Sequence, residues 1–155
     1  MELEFLDLLF GAVLGIFSGS VALFSIYLLH FKFPNLFSIN PFHFIGSMVF
    51  TDVSGIYIFG SLCCGIIFGI LGIIYTYAYS FEGSIILVTV LLILVQYIIF
   101  GILLGVVEKL HPAITSDEFS KPNYFWLKDD KFNGIVFCFA NLCFGIIIYL
   151  GYSIQ

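Results

Sequence analysis

The chain has 155 residues, of which 61% are apolar and only 10% charged, with a formal net charge of −5. A water-soluble domain of this length cannot hide so much apolar surface, so the composition excludes that class and points to a chain solvated by lipid. Five lysines, no arginine and no basic run also leave no electrostatic footprint for nucleic acid.

Four apolar stretches, about 5–29, 54–79, 84–107 and 134–152, each reach the roughly 20 residues that cross a bilayer core as a helix. The first carries Gly11, Gly15 and Gly19 at four-residue intervals, which places three small residues on one helical face. It follows Met1-Glu2-Leu3-Glu4, which lacks the basic start of a secretory signal, so the first helix is expected to be retained.

The connection 30–53 is rich in Phe, and within it Asn40-Pro41 is a helix-start signal, with Asn as the cap and Pro at the first helical position. A short interfacial helix from about Pro41 to Phe50 is predicted, with a break near 52–55 before the second span. Running Pro41 to Tyr79 as one helix would give nearly twice the length that a bilayer needs. The second span carries Ser61, Gly65 and Gly69 at the same spacing. A tight Ser80-Phe81-Glu82-Gly83-Ser84 turn then makes spans two and three antiparallel neighbours.

The third span carries Gly101 and Gly105, and Gln96 near its middle. The connection 108–133 is the one clearly polar segment. Its Thr115-Ser116-Asp117-Glu118 reads as a capping box, Tyr124 and Trp126 suit the headgroup level, and Asp129-Asp130 can cap the last helix. The fourth span holds Asn141 and Gly145 four residues apart. Lipid gives helices no hydrophobic reason to associate, so small residues that allow close backbone approach are the expected packing surfaces in all four spans.

Lys32, Lys109, Lys121, Lys128 and Lys131 all fall in the connections 30–53 and 108–133. Lysine and arginine placement sets membrane orientation, which predicts cytoplasmic loops and both termini outside the cell membrane. An internal match supports a tandem two-helix repeat. Phe59-Gly60-Ser61-Leu62-Cys63-Cys64-Gly65-Ile66-Ile67 aligns with Phe139-Ala140-Asn141-Leu142-Cys143-Phe144-Gly145-Ile146-Ile147, with six of nine positions identical. Both halves then run inward and outward in the same sense.

Chemistry is sought first among polar residues inside spans. Gln96 and Asn141 sit at similar depth and are placed to hydrogen-bond across helices; Thr76 and Ser61 are further polar positions. Asp, Glu, Lys, Arg and His are missing from the span interiors, which argues against a proton-coupled carrier. Cys63, Cys64, Cys138 and Cys143 lie in spans without a CxxC pair and read as packing residues. His30, His43, His111, Asp52 and Glu108 cluster at span ends and are the candidates for a metal site. Glu108 and His111 have the Glu-x-x-His spacing of di-iron bundles, but only once where such bundles need it twice.

In the Gly-rich first span, the His43-Phe44-Ile45-Gly46 entry to the second and the Asn141-Leu142-Cys143-Phe144-Gly145-Ile146-Ile147 run of the last, the chain resembles small four-helix integral membrane proteins of archaea. That resemblance implies an architecture and no activity. In being short, rich in Ile and Phe and nearly devoid of soluble parts, it is also similar to the accessory subunits of archaeal ammonia monooxygenase. This second resemblance implies a supporting subunit without an active site.

The expectation is an all-α, single-domain, four-transmembrane-helix bundle with one short interfacial helix. Its foremost role is as a structural accessory subunit, with other membrane subunits and the bilayer as partners and no cofactor. The alternatives are a small transporter or channel, working as a homo-oligomer, with a polar path through Gln96, Asn141, Thr76 and Ser61, and a membrane enzyme with an interfacial site at His43, Asp52, Glu108 and His111.

Overall fold

In the computed structural model, residues 4–33, 41–81, 83–115, 124–126 and 131–154 are described. They form six helices: α1 (Phe5–Lys32), α2 (Pro41–Gly46), α3 (Val53–Tyr79), α4 (Ile85–Leu110), α5 (Pro112–Thr115) and α6 (Lys131–Ile154), with a single turn, Tyr124–Trp126, before the last. The helices α1, α3, α4 and α6 are each long and apolar enough to cross a membrane. The protein is an all-α bundle of four such helices. The Asn40 cap, residues 116–118 of the capping box and the Asp129-Asp130 cap lie outside the described residues.

Local chemistry sets the helix ends. Glu4 and Asp7 cap α1 reciprocally, the Glu4 N–H donating to the Asp7 carboxylate at 3.0 Å. After α2 the chain turns at Ser47–Val49 by backbone hydrogen bonds and restarts at Asp52, whose carboxylate accepts the Gly55 N–H at 2.7 Å. That cap separates α2 from α3 at the expected break. At the far end of α4, Pro112 forces His111 into an extended conformation (φ −77°, ψ 118°) and ends the helix.

The helix partners run antiparallel. Along α1, Gly11, Gly15 and Gly19 meet Thr76, Gly72 and Phe68 of α3 in descending order. Phe10 meets Tyr152 of α6 and Ala22 packs with Phe144, while Ile93 and Gln96 of α4 meet Gly145 and Asn141 of α6. The bundle order is therefore α3–α1–α6–α4, and the 83–84 turn and both helical termini share one end. Although α3 and α4 are joined by a tight turn, they touch sparsely. They hold together near that turn, where the Tyr79 and Thr89 hydroxyls meet at 2.6 Å and Tyr75 meets Gln96, and they separate towards the other end.

The tight core lies among α1, α3 and α6. Tyr75, Phe144 and Ile148 are essentially buried there with Ala22, and a second cluster joins Leu23, Ile26, Cys64 and Val136. At the loop end, α2 folds back on α3. A methyl at Gly46 would run into the Ile56 carbonyl, and one at Gly60 into the Phe42 carbonyl, so these two glycines let the helices lie backbone to backbone.

Candidate functional site

Where α3 and α4 diverge, they leave a cavity of about 330 Å³. Each surrounding helix contributes one wall: Leu23 and Ile26 from α1, Cys64 and Phe68 from α3, Phe100 and Leu104 from α4, and Ala140 and Phe144 from α6. Pro41, Phe44 and Ile45 of α2 close the loop end. Ile67, Leu103 and Met48 line the cavity and yet stay exposed (38%, 46% and 36%), so it opens on the flank between α3 and α4. In a bilayer that flank faces acyl chains.

Two polar side chains reach this apolar wall, Gln96 and Asn141, and both are more than nine-tenths buried. Their orientation follows from one fixed end. The Asn141 Nδ2–H donates to the Phe137 carbonyl at 2.7 Å, and a carbonyl can only accept. This turns Asn141 Oδ1 towards Gln96, whose Nε2–H donates to it at 2.9 Å. Gln96 Oε1 is left to accept from the Tyr75 hydroxyl at 3.3 Å. A primary amide carries two N–H groups, so this relay uses one N–H on each residue and leaves one on each.

The other polar positions of the spans stand elsewhere. Thr76 hydrogen-bonds to the Tyr152 hydroxyl and to the Gly72 carbonyl, near the end that carries the helical termini. Ser61 is on the outer face of α3. The four residues expected along a polar path therefore do not share a wall. Aligned positions of the repeat also differ in setting: Ser61 is exposed and Asn141 buried, while Gly65 meets open space and Gly145 packs under Ile93.

The glycines of the four-residue patterns divide into three kinds. Gly11, Gly15 and Gly19 sit hard against α3; Gly72, one turn beyond the pattern that runs through Gly69, receives Gly11 and Gly15, and the Phe68 ring receives Gly19. A methyl at Gly69 would make ordinary contact with Ile16 at 3.6 Å, and one at Gly65 would touch nothing within 4 Å. Gly101 and Gly105 seat no helix at all. Phe125 lies on Gly101 and Tyr124 on Gly105, with the Phe125 ring 5.1 Å from that of Tyr97. Gly101 is nine residues inside the end of α4, roughly 13 Å at 1.5 Å per residue. Phe125 therefore lies beside α4 well inside its end, and Tyr124 about one turn nearer that end. Phe125 takes a left-handed backbone conformation to do so (φ 56°), which costs a bulky residue about 1 kcal/mol.

The metal candidates are used locally. Asp52 caps α3, and the His43 ring packs edge-on against Tyr57 at 5.8 Å. His111 is completely buried; its Nε2–H donates to the Phe44 carbonyl at 2.7 Å and its ring stacks on that of Phe44 at 4.6 Å. Glu108 is half-buried near the end of α4, and the His30 side chain lies outside the described residues. Among the described residues, no three His, Cys, Asp or Glu side chains stand together as metal ligands. The His111 contact instead ties the end of α4 to α2, the helix that closes the cavity.

Sequence reasoning reached Gln96 and Asn141 from their depth, and missed Tyr75, Gly72 and the cavity itself. Gly72 had a signal, because Gly69-Ile70-Leu71-Gly72 extends the small-residue row by one turn. The cavity had none, because it arises from the angle between two helices. Comparison with family models, with curated proteins and with solved structures finds no match for this chain.

Proposed function

We propose that this membrane protein holds a lipid-soluble molecule in the cavity between α3 and α4. The observation that carries the reading is the pairing of an apolar chamber, open on the flank between α3 and α4, with two buried amides that line it and whose bonds in the relay each leave one N–H unused. Cavities of about 300 Å³ and above, mostly apolar with a few convergent polar groups, are the usual form of small-molecule sites. A buried donor left unsatisfied costs about 1–3 kcal/mol, which favours an occupant that accepts from it.

The test is to purify the chain in mild detergent, extract it with organic solvent and identify what is released by mass spectrometry. A lipid-soluble species should accompany the wild type, fall at least tenfold in Ala140→Phe, which fills the cavity, and persist in Ile99→Phe, which places the same ring at an outward position. Equal recovery from all three proteins would reject the reading.

A structural accessory role is the second reading, and one observation favours it. No described residue comes within 4 Å of a Cβ built at Gly65, and Ser61 on the same face of α3 is exposed; such a face admits a transmembrane helix of another subunit closely. Stoichiometric co-purification of a membrane partner, lost in Gly65→Leu, would support it; elution of the chain alone or as a homo-oligomer would count against it.

A further inference from the structure

We infer that the occupant of the cavity is neutral and presents a hydrogen-bond acceptor without a donor, a ketone, quinone or ester carbonyl, to Gln96 and Asn141, with its apolar remainder towards the flank between α3 and α4. This inference rests on the reading of the cavity as a binding site and names the chemistry that the site selects.

The selection comes from the relay's fixed polarity. Because Asn141 donates to the Phe137 carbonyl, both amide oxygens already accept, from Gln96 and from Tyr75 respectively. The groups left over are one N–H on each amide, and both amides line the cavity. A carbonyl oxygen with one remaining lone pair tolerates burial better than an orphaned N–H does, so what the wall requires is an acceptor. An ammonium has no lone pair to offer these N–H groups, and a hydroxyl brings, with its lone pairs, a further hydrogen to satisfy. Among the described residues the cavity lining has no Asp, Glu, Lys, Arg or His, so an ionised headgroup would be buried there without a counter-charge from them. The remaining lining is hydrocarbon and aromatic apart from the sulfurs of Cys64 and Met48, which suits an alkyl or isoprenoid body.

The experiment uses the full chain in mild detergent and three probes with the same medium-length alkyl tail: a methyl ketone, the plain alkane and the alkylammonium. Binding is read by native mass spectrometry. The ketone should bind about fivefold to tenfold more tightly than the alkane, the difference that one neutral hydrogen bond makes, and the ammonium most weakly. Gln96→Met, which removes the amide at similar volume, should erase the ketone's advantage and leave alkane binding unchanged. Should Gln96→Met lose the alkane as well, the wild-type ratio of ketone to alkane decides.

Equal binding of ketone and alkane, or an ammonium that binds as well as the ketone, would overturn the acceptor inference while leaving the cavity a binding site. Failure of all three probes to bind would overturn the site reading and this inference with it. The mass of the co-purified species separates the two carbonyl sources: a single isoprenoid ketone or quinone, or a family of ester lipids differing in chain length.

Discussion

The two flanks of α3 are built from the same amino acids to opposite effect. On the α1 side, Gly11, Gly15 and Gly72 bring two backbones into direct contact, and a methyl at Gly15 would come within 2.8 Å of the Gly72 Cα. On the α4 side the glycines of α4 hold the rings of Tyr124 and Phe125, while α3 and α4 stand apart around a cavity. Small residues at four-residue spacing therefore mark surfaces open to close approach; they do not say whether a helix, a short turn or no other described residue of the chain takes the place. In lipid, where apolar burial does not drive helices together, the flank without backbone contact is the one free to stay open.

Substitutions at these glycines break the comparison in graded steps. Gly15→Leu sets a side chain against the Phe68 carbonyl and the Gly72 backbone, neither of which can rotate away. It should cost the most, about 3 kcal/mol or more, read as a large fall in thermal midpoint by circular dichroism in detergent. Gly101→Leu meets only the ring of Phe125, which can leave its seat and relieve a left-handed backbone. About 1–2 kcal/mol is expected, together with faster proteolysis near residues 124–126. A fall as large as that of Gly15→Leu would mean that the Tyr124–Trp126 turn is as much a part of the core as α3.

Gln96→Leu sharpens the comparison from the cavity side. It removes the hydrogen bonds to Asn141 and Tyr75, and interhelical bonds in membranes average about 0.6 kcal/mol each. A loss near 1 kcal/mol is expected, with bound ligand lost well before the fold. His111→Ala cuts the tie between α4 and the Phe44 carbonyl, and hydrogen exchange should rise in α2 while α1 and α3 keep their protection. Gly65→Leu completes the series, with no measurable change in the stability of the isolated chain, because no described residue comes within 4 Å of a methyl there.

Much of the architecture was legible in the sequence because lipid imposes simple rules. Spans announce themselves by length and apolarity, and the break before α3 by Asp52, a cap whose carboxylate has one obvious donor to reach. The meeting of Gln96 and Asn141 followed from depth alone, since two amides in hydrocarbon have few other partners. Helix azimuth was much less legible. All four long helices are apolar on every face, so periodicity does not say which side of α3 turns towards α1, and Gly72 serves there while Gly65 does not. The insertion of Phe125 was hidden for a related reason, because an aromatic residue in a polar connection suits the interface as well as the interior. The cavity depends on the divergence of α3 and α4, a property of tertiary packing with no local sequence signature.

The most direct measurement is carbene labelling of the unmodified protein in its membrane with a lipid carrying a photoreactive group on its acyl chain, followed by mapping of the labelled peptides. Outward residues such as Ile99 and Ile102 will be labelled under any account. A cavity open to the bilayer predicts further adducts on its wall, on the buried Ala22, Cys64 and Phe144 and the half-buried Ala140. Adducts confined to the outward faces, with none on that wall, would contradict it.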